Sequence, residues 1–357
     1  MDVTLKPIGE QVMVITGASS GIGLVTAKLA ARQGAQVVLA ARNERDLAAA
    51  VQLIRDEGGR AVYRVADVAA PAQVEAIADT AIREFGRIDT WVNNAAVAMY
   101  GRVTELPIED MRRQFDVNYW GIVYGSRTAV SHLKHRGGAL INVASAVADR
   151  AIPLQGNYCA AKHAIKAFTD ALRMELQDEG VPISVSLVKP SSIDTPFFEK
   201  ARTYLGVEPQ PVPPVYAPEI VARTIIECAQ RPIRDIAAGG MGPVLQLADL
   251  APGITDRVME RTTFESQKTE QVVTADRKDN LYEPVEYDGG ERGRTWTGRT
   301  RSTSVYTAAK LHPGVAAAIA AATVGLGVAT AGALAQRSRH SANRRTVSDE
   351  RLDPDAT

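Results

Sequence analysis

A tyrosine and a lysine four residues apart, in Tyr158-Cys-Ala-Ala-Lys162, are a pair that could move protons. On a helix this spacing puts both on one face, one turn from each other. A free phenol titrates near pH ~10, too high for a shuttle at neutral pH. A neighbouring ammonium favours the phenolate and lowers that value. The pair can therefore work as a general acid and base wherever a reacting group needs a proton moved. By itself it equally describes an ordinary helix surface. Its meaning depends on Ser145 upstream, on Thr16-Gly-Ala-Ser-Ser-Gly-Ile-Gly23 near the start, and on the elements that bring these together.

Those elements alternate. Residues 11–16 (QVMVIT) are a short apolar run ending at glycine, the pattern of a buried parallel strand. Residues 22–33 carry apolar side chains at helical spacing. Between them, glycines let the backbone turn sharply and approach a ligand, and the next helix offers free N–H groups to a phosphate. A glycine-rich turn between a strand and a helix is a dinucleotide signal, or else only a tight connection. The second strand, 36–41, ends at Ala41-Arg42 with no acidic residue. An acid there would bind the ribose 2′-OH of NAD, whereas an arginine suits the 2′-phosphate of NADP. Arg42 thus points to NADP, the alternative being a solvated residue that starts a helix. Strand–helix units continue through 43–57, 61–66, 71–85, 88–93, 107–114, 119–135, 139–144, 157–179 and 183–188. The expected fold is α/β, a Rossmann-type doubly wound parallel sheet in three α/β/α layers. Ligands in such sheets bind beyond the strands' carboxyl ends. Gly17, Arg42, Asp67, Asn93, Ser145 and Pro190 all fall there and should converge on one crevice.

The totals exclude several classes. Lys+Arg and Asp+Glu balance at 41 each, so nothing points to nucleic acid as the main partner and none is expected. Two cysteines, Cys159 and Cys228, do not make a disulfide framework and suit a reduced, cytoplasmic setting. No Cys/His cluster has metal-ligand spacing, so no metal is expected. No charged start followed by an apolar run and a cleavage site precedes the first strand, so no secretory signal is expected.

From about Val12 to about Gly240 the sequence closely resembles the short-chain dehydrogenase/reductase family, in its single-domain NADP-using branch. The motifs carrying the resemblance are Thr16-Gly-x-x-x-Gly-x-Gly23, Asp67, Asn93-Asn94-Ala95, Asn118, Ser145, Tyr158-x-x-x-Lys162 and Pro190 through Thr195. The resemblance implies an oxidoreductase that moves hydride between NADP(H) and a carbonyl/alcohol pair. Tyr158 would be its acid or base. Lys162 would lower the tyrosine's pKa and hold the nicotinamide ribose. Ser145 would bind the substrate oxygen, and Asn118 would hold a water linking Lys162 to solvent. For the cofactor it implies Thr16, Gly17, Ser19, Ser20, Gly21, Ile22 and Gly23 in the turn, Arg42, Asp67 and Val68 at the adenosine, Asn94 in support, and Tyr158, Lys162, Pro190, Ile193 and Thr195 around the nicotinamide. Asn93 would brace the central sheet. Ala96, Ala161 and Ser191 depart from the usual glycine, serine and glycine, which affects the pocket's shape and leaves the chemistry intact. The resemblance also implies a homodimer or homotetramer through 119–135 and 157–179.

The flap over the substrate should span 193–205, with Phe197, Phe198 and Tyr204, opposite Met99, Tyr100, Val147, Leu154 and Gln155. Its composition suggests an apolar carbonyl substrate, unless these residues only pack the flap down. Two other readings stand beside the first: a silent NADP-binding scaffold or sensor, and an NAD-dependent alcohol dehydrogenase of the same fold. The expected organisation is a catalytic domain over 1–260, a charged disordered linker over 261–312, a transmembrane or interfacial helix over 313–336 and a polar tail over 337–357. Residues 315–335 are uncharged and apolar or small, long enough to reach across a bilayer core, which would attach the cytoplasmic domain to a membrane.

Overall fold

The computed structural model describes residues 3–312 and residue 314. The chain divides into two compact units, Met1–Thr307 and Ala308–Thr357. The elements of the first half are β1 (Val12–Thr16), α1 (Gly21–Arg32), β2 (Gln36–Ala41), α2 (Glu44–Asp56), β3 (Arg60–Val65), α3 (Pro71–Phe85), β4 (Thr90–Asn93), β5 (Met99–Tyr100), α4 (Ile108–Phe115), α5 (Gly121–Leu133) and β6 (Gly138–Val143). They are followed by α6 (Gly156–Asp178), β7 (Ile183–Pro190), β8 (Arg202–Thr203), β9 (Val207–Pro209), β10 (Val215–Tyr216), α7 (Pro218–Gln230), β11 (Asp235–Ala238), α8 (Met241–Leu247), α9 (Pro252–Ser266), β12 (Lys268–Val272), β13 (Thr300–Arg301) and α10 (Val305–Leu311).

Seven strands form one sheet in the order β11-β7-β6-β4-β1-β2-β3. Every pairing in it is parallel. The strand order reverses between β1 and β4, where a doubly wound sheet opens its crevice. The fold is therefore the three-layer Rossmann type expected. All five residues of β1 and all eight of β7 are buried, as strands covered on both faces must be. Val12, Val14, Ile77, Trp91 and Leu133 belong to the core that packs on one face of the sheet. A polar brace runs through that core. Asn93 Nδ2 donates to Asn142 Oδ1 at 2.9 Å and to Ser126 Oγ at 3.2 Å, and Trp91 Nε1 donates to Asn93 Oδ1 at 2.7 Å. Asn93 thus ties β4, β6 and α5 together behind the crevice, and every group in the brace has a partner.

One helix differs from expectation. The helix expected over 119–135 begins as a wider π-type turn, Asp116–Trp120, before α5. Such turns insert a residue and re-aim side chains, often beside functional sites. Farther on, α8 and α9 are separate helices, the second opening at Pro252.

The largest correction concerns residues 261–312, expected to be a disordered linker. They carry the end of α9, β12, β13 and α10, and β12 pairs with β9 while β13 pairs with β10. Arg277 donates to the carbonyls of Ala201 and Glu199 at 2.7 and 2.8 Å. Asp279 pairs with Arg202 at 2.9 Å. Between them and β13 the chain forms a strap, residues 279–291, that lies along the carboxyl ends of β1, β2 and β3. Ionic and backbone contacts hold this segment, which is why its shortage of aliphatic residues misleads. The membrane segment expected at 315–335 and the tail at 337–357 lie outside the described residues. Among the described residues no helix is long and apolar enough to cross a membrane.

Candidate active site

The glycine-rich turn is fixed from behind. Thr16 Oγ1 accepts from the N–H groups of Asn94 and Ala95 at 3.0 and 3.1 Å, and Asn94 Nδ2 donates to the carbonyls of Thr16 and Gly17 at 3.0 and 3.2 Å. This clamps the end of β1 to the end of β4. Gly17 has φ +65°, and a Cβ there would sit 2.8 Å from Ala95 Cα. A Cβ on Gly23 would lie 2.2 Å from the Gly17 carbonyl oxygen. Both positions therefore need glycine, because the turn folds onto its own backbone. Thr16 and Gly23 hold the turn, while Gly17, Ser19, Ser20, Gly21 and Ile22 face the cavity.

One continuous cavity runs along the carboxyl edge of the sheet. Arg42, Asp67 and Val68 line one end, at the exits of β2 and β3. Asn94 and Ala96 line its middle at the exit of β4. Ser145, Tyr158 and Lys162 line the other end with Pro190, Ile193 and Thr195. Asn118 is not among the lining residues. It lies wholly buried on the π-type turn, where Oδ1 accepts from Val97 N at 2.8 Å and Nδ2 donates to Val97 O at 2.9 Å. Its side chain fixes the chain after β4.

At the catalytic end, α6 presents Tyr158 and Lys162 on one face. Asn157 pins the start of α6 to α4 by donating to Gln114 Oε1 at 2.7 Å and Met111 O at 3.1 Å. Ser145 caps the short turn after β6, its hydroxyl accepting from Val147 N at 3.3 Å. The Tyr158 hydroxyl lies near enough to Ser145 for the serine to favour its ionised form. Lys162 Nζ stands 5.4 Å from the centroid of the Tyr158 ring and donates to Val143 O at 3.0 Å. Burial is the largest influence on both groups. It pushes the Tyr158 hydroxyl well above the usual phenol range, with Cys159 adding to the rise and Ser145 opposing it. It pulls the Lys162 ammonium down to about 7. The net direction for Tyr158 is therefore upward, while Lys162 donates to the Val143 carbonyl. Cys159, between the two, is pushed up to about 11 by burial and stays a thiol at neutral pH.

At the other end, Asp67 is occupied. Its Oδ2 pairs with Arg113 at 2.5 Å and its Oδ1 accepts from Ala69 N at 2.9 Å. Burial pulls Arg42 below the ordinary arginine value, with Asp67 the main opposing influence. Arg42 Nη1 donates to Tyr282 O at 2.7 Å, and Nη2 donates to Asn280 O, both on the strap.

The flap places Phe197 and Phe198 on the cavity wall, with the Phe197 ring 5.9 Å from that of Tyr158. Val147 and Gln155 line it too. Tyr204 does not, since its hydroxyl bonds the Asp110 carboxylate, and Met99, Tyr100 and Leu154 are buried away from the lining. The sequence reading missed Lys200 and the strap residues Asn280 and Asp288, which line the cavity. Lys200 Nζ donates to Ser20 Oγ at 2.7 Å and pairs with Asp288 at 3.1 Å. Its position two residues after Phe197-Phe198 could have marked it. Nothing local marks Asn280.

The donor set suits a dinucleotide. Residues of the turn line the cavity, where a side chain on Gly21 would crowd Thr195, at 3.1 Å. The buried Asn280 Oδ1 in the same cavity has no hydrogen-bond partner.

A family model described as short chain dehydrogenase matches residues 11–205. The chain is 45% identical to an uncharacterized oxidoreductase, YxnA, of Bacillus subtilis (strain 168), across 90% of each chain. It is 34% identical to 11-beta-hydroxysteroid dehydrogenase A of Sesamum indicum, across 63% of this chain and 67% of that one. Among solved structures, an alcohol dehydrogenase from Thermococcus sibiricus in complex with 5-hydroxy-NADP superposes with a TM-score of 0.56 at 25% identity, covering 64% of this chain and 95% of that one.

Proposed function

The chain belongs to the short-chain dehydrogenase family of oxidoreductases, and on that premise we propose that it moves hydride between NADP(H) and a carbonyl/alcohol pair, with Tyr158 as general acid and base. The observation that carries this reading is the single cavity joining Arg42 and Asp67 at one end to Ser145, Tyr158 and Lys162 at the other. When bound, the nicotinamide ring supplies or accepts the hydride. Everything else falls to the chain's own groups. Ser145 and Tyr158 aim two hydroxyls at one point, where the oxygen of a substrate carbonyl acquires charge. Tyr158 gives its proton to that oxygen in reduction and takes it back in oxidation. Lys162 titrates near neutrality, so it can restore the proton to the phenolate and stabilise it by charge.

NADP preference is supported by Arg42 and by the missing acid after β2. The strap carbonyls use one N–H from each Arg42 amino group, which leaves further N–H groups for a 2′-phosphate. An apolar substrate is supported by Phe197 and Phe198 beside Tyr158 and by the likeness to a hydroxysteroid dehydrogenase. The test is NADPH oxidation by the purified protein over carbonyls graded from small and polar to large and apolar. The expected result is turnover with the highest kcat/KM at the apolar end. Small polar carbonyls ranking first would overturn the substrate class, and tight NADPH binding without turnover on any carbonyl would overturn the reaction.

A further inference from the structure

The strap has no part in the chemistry above, yet its contacts fall on the elements that would hold the adenosine half of a dinucleotide. Gly290 O accepts from Gly21 N at 2.8 Å, at the first residue of α1. Asp288 pairs with Lys200, which also holds Ser20 of the glycine-rich turn. Asn43 Nδ2 donates to Val285 O at 2.9 Å, and the Asp46 carboxylate accepts from Asp288 N. Arg42 holds the carbonyls of Asn280 and Tyr282. Arg113, which holds Asp67, donates Nε to Leu281 O at 3.0 Å. The strap thus crosses the ends of β1, β2 and β3 and is fastened at each. Asn280 lines the cavity between them, and its Oδ1 is buried without a partner. A buried acceptor is seldom left unpaired, because it has given up water and received nothing. The adenosine half of NADP(H) carries donors of the right kind, an exocyclic amine and the ribose 3′-hydroxyl.

We propose that the strap is a built part of the cofactor site: it covers the adenosine half of the bound dinucleotide, Asn280 Oδ1 accepts a hydrogen bond from the adenosine, and the strap lifts to admit and release the cofactor. This rests on the NADP(H) reading. Arg42 then serves twice, holding the strap with one pair of N–H groups and the 2′-phosphate with others. Cofactor exchange becomes a step that breaks strap contacts.

The test titrates the full chain, wild type and Asn280→Ala, with NADPH and with two half-molecules, adenosine 2′,5′-bisphosphate and nicotinamide mononucleotide. Hydrogen exchange at 279–291 is followed in the wild type alone, which protects the test against a variant that folds poorly. Asn280→Ala should weaken NADPH and the bisphosphate by about tenfold and leave the mononucleotide unchanged. Saturation of the wild type with the bisphosphate should slow strap exchange about tenfold or more. If NADPH binds but the variant holds the bisphosphate as tightly as wild type and strap exchange does not change, the strap is only packing and the proposal falls alone. If NADPH does not bind the wild type, the oxidoreductase reading falls first and takes this one with it.

Discussion

The catalytic end and the strap end of one cavity are held in opposite ways. Tyr158 and Lys162 share a single helix face, and Lys162 is fixed to a carbonyl at the end of the neighbouring strand. The strap reaches Arg42 and Asn43 across a sequence separation of about 240 residues. Leu281 is its only side chain in the hydrophobic core. Its other fastenings include backbone carbonyls taken by Arg42, Arg113 and Asn43, and carboxylates taken by Lys28 and Lys200. Chemistry can therefore be written in local periodicity, whereas access to the same cavity is governed by contacts that exist only once the chain has folded. A segment poor in aliphatic residues need not be disordered when a folded surface offers it cationic donors.

Variants at the two ends should separate accordingly. The largest effect belongs to the catalytic end. Tyr158→Phe should lower kcat by roughly a hundredfold to ten-thousandfold and leave the NADPH dissociation constant unchanged, as read by steady-state kinetics and fluorescence titration. A matching loss of NADPH affinity would erase the separation between the ends. Next comes Arg42→Ala, which removes a phosphate partner and a strap partner together. NADPH affinity should fall about 10- to 100-fold and NADH affinity by much less, so the cofactor preference collapses. An unchanged preference would mean that Arg42 serves the strap alone.

Burial of Lys162 gives a smaller effect, on stability. Its pKa is about 7 in the fold and near ~10.4 unfolded, so the unfolded chain binds the extra proton between those values. The penalty for burying the ammonium is fully present below about pH 7, shrinks as pH rises, and is gone above ~10.4. Lys162→Met should therefore raise the Tm by several degrees at pH 6 and by little at pH 10. A gain independent of pH would show that the side chain, and not its charge, is what the fold resists. The smallest effect is at the strap's far end. Glu291→Gln breaks a part-exposed pair with Lys28, and should speed NADPH release in stopped flow by less than about fivefold, with kcat/KM unaltered.

How much could be read in advance follows the same division. The parallel sheet and the shared helix face of Tyr158 and Lys162 follow from periodicity, and the glycine-rich turn from its place between a strand and a helix. Arg42 was marked by position at the end of β2, but its engagement with Asn280 and Tyr282 was not, because no local pattern links residues so far apart. Asn118 shows a finer limit. Its residue type was visible, while the π-type turn that commits its amide to Val97 depends on one inserted residue that no spacing rule records. Lys200 lay within the expected flap and was passed over for the aromatic pair beside it, though its ammonium is what touches the glycine-rich turn.

The most direct test of the central claim is transfer of the hydride itself. The protein is given NADPH deuterated at the transferable position of the nicotinamide ring, with the best apolar carbonyl from the panel, and the alcohol product is analysed by mass spectrometry. The account predicts one deuterium at the former carbonyl carbon with wild type, delivered at least about a hundredfold more slowly by Tyr158→Phe at saturating cofactor. Wild-type product without deuterium, or deuterium delivered by Tyr158→Phe at the wild-type rate, would contradict it.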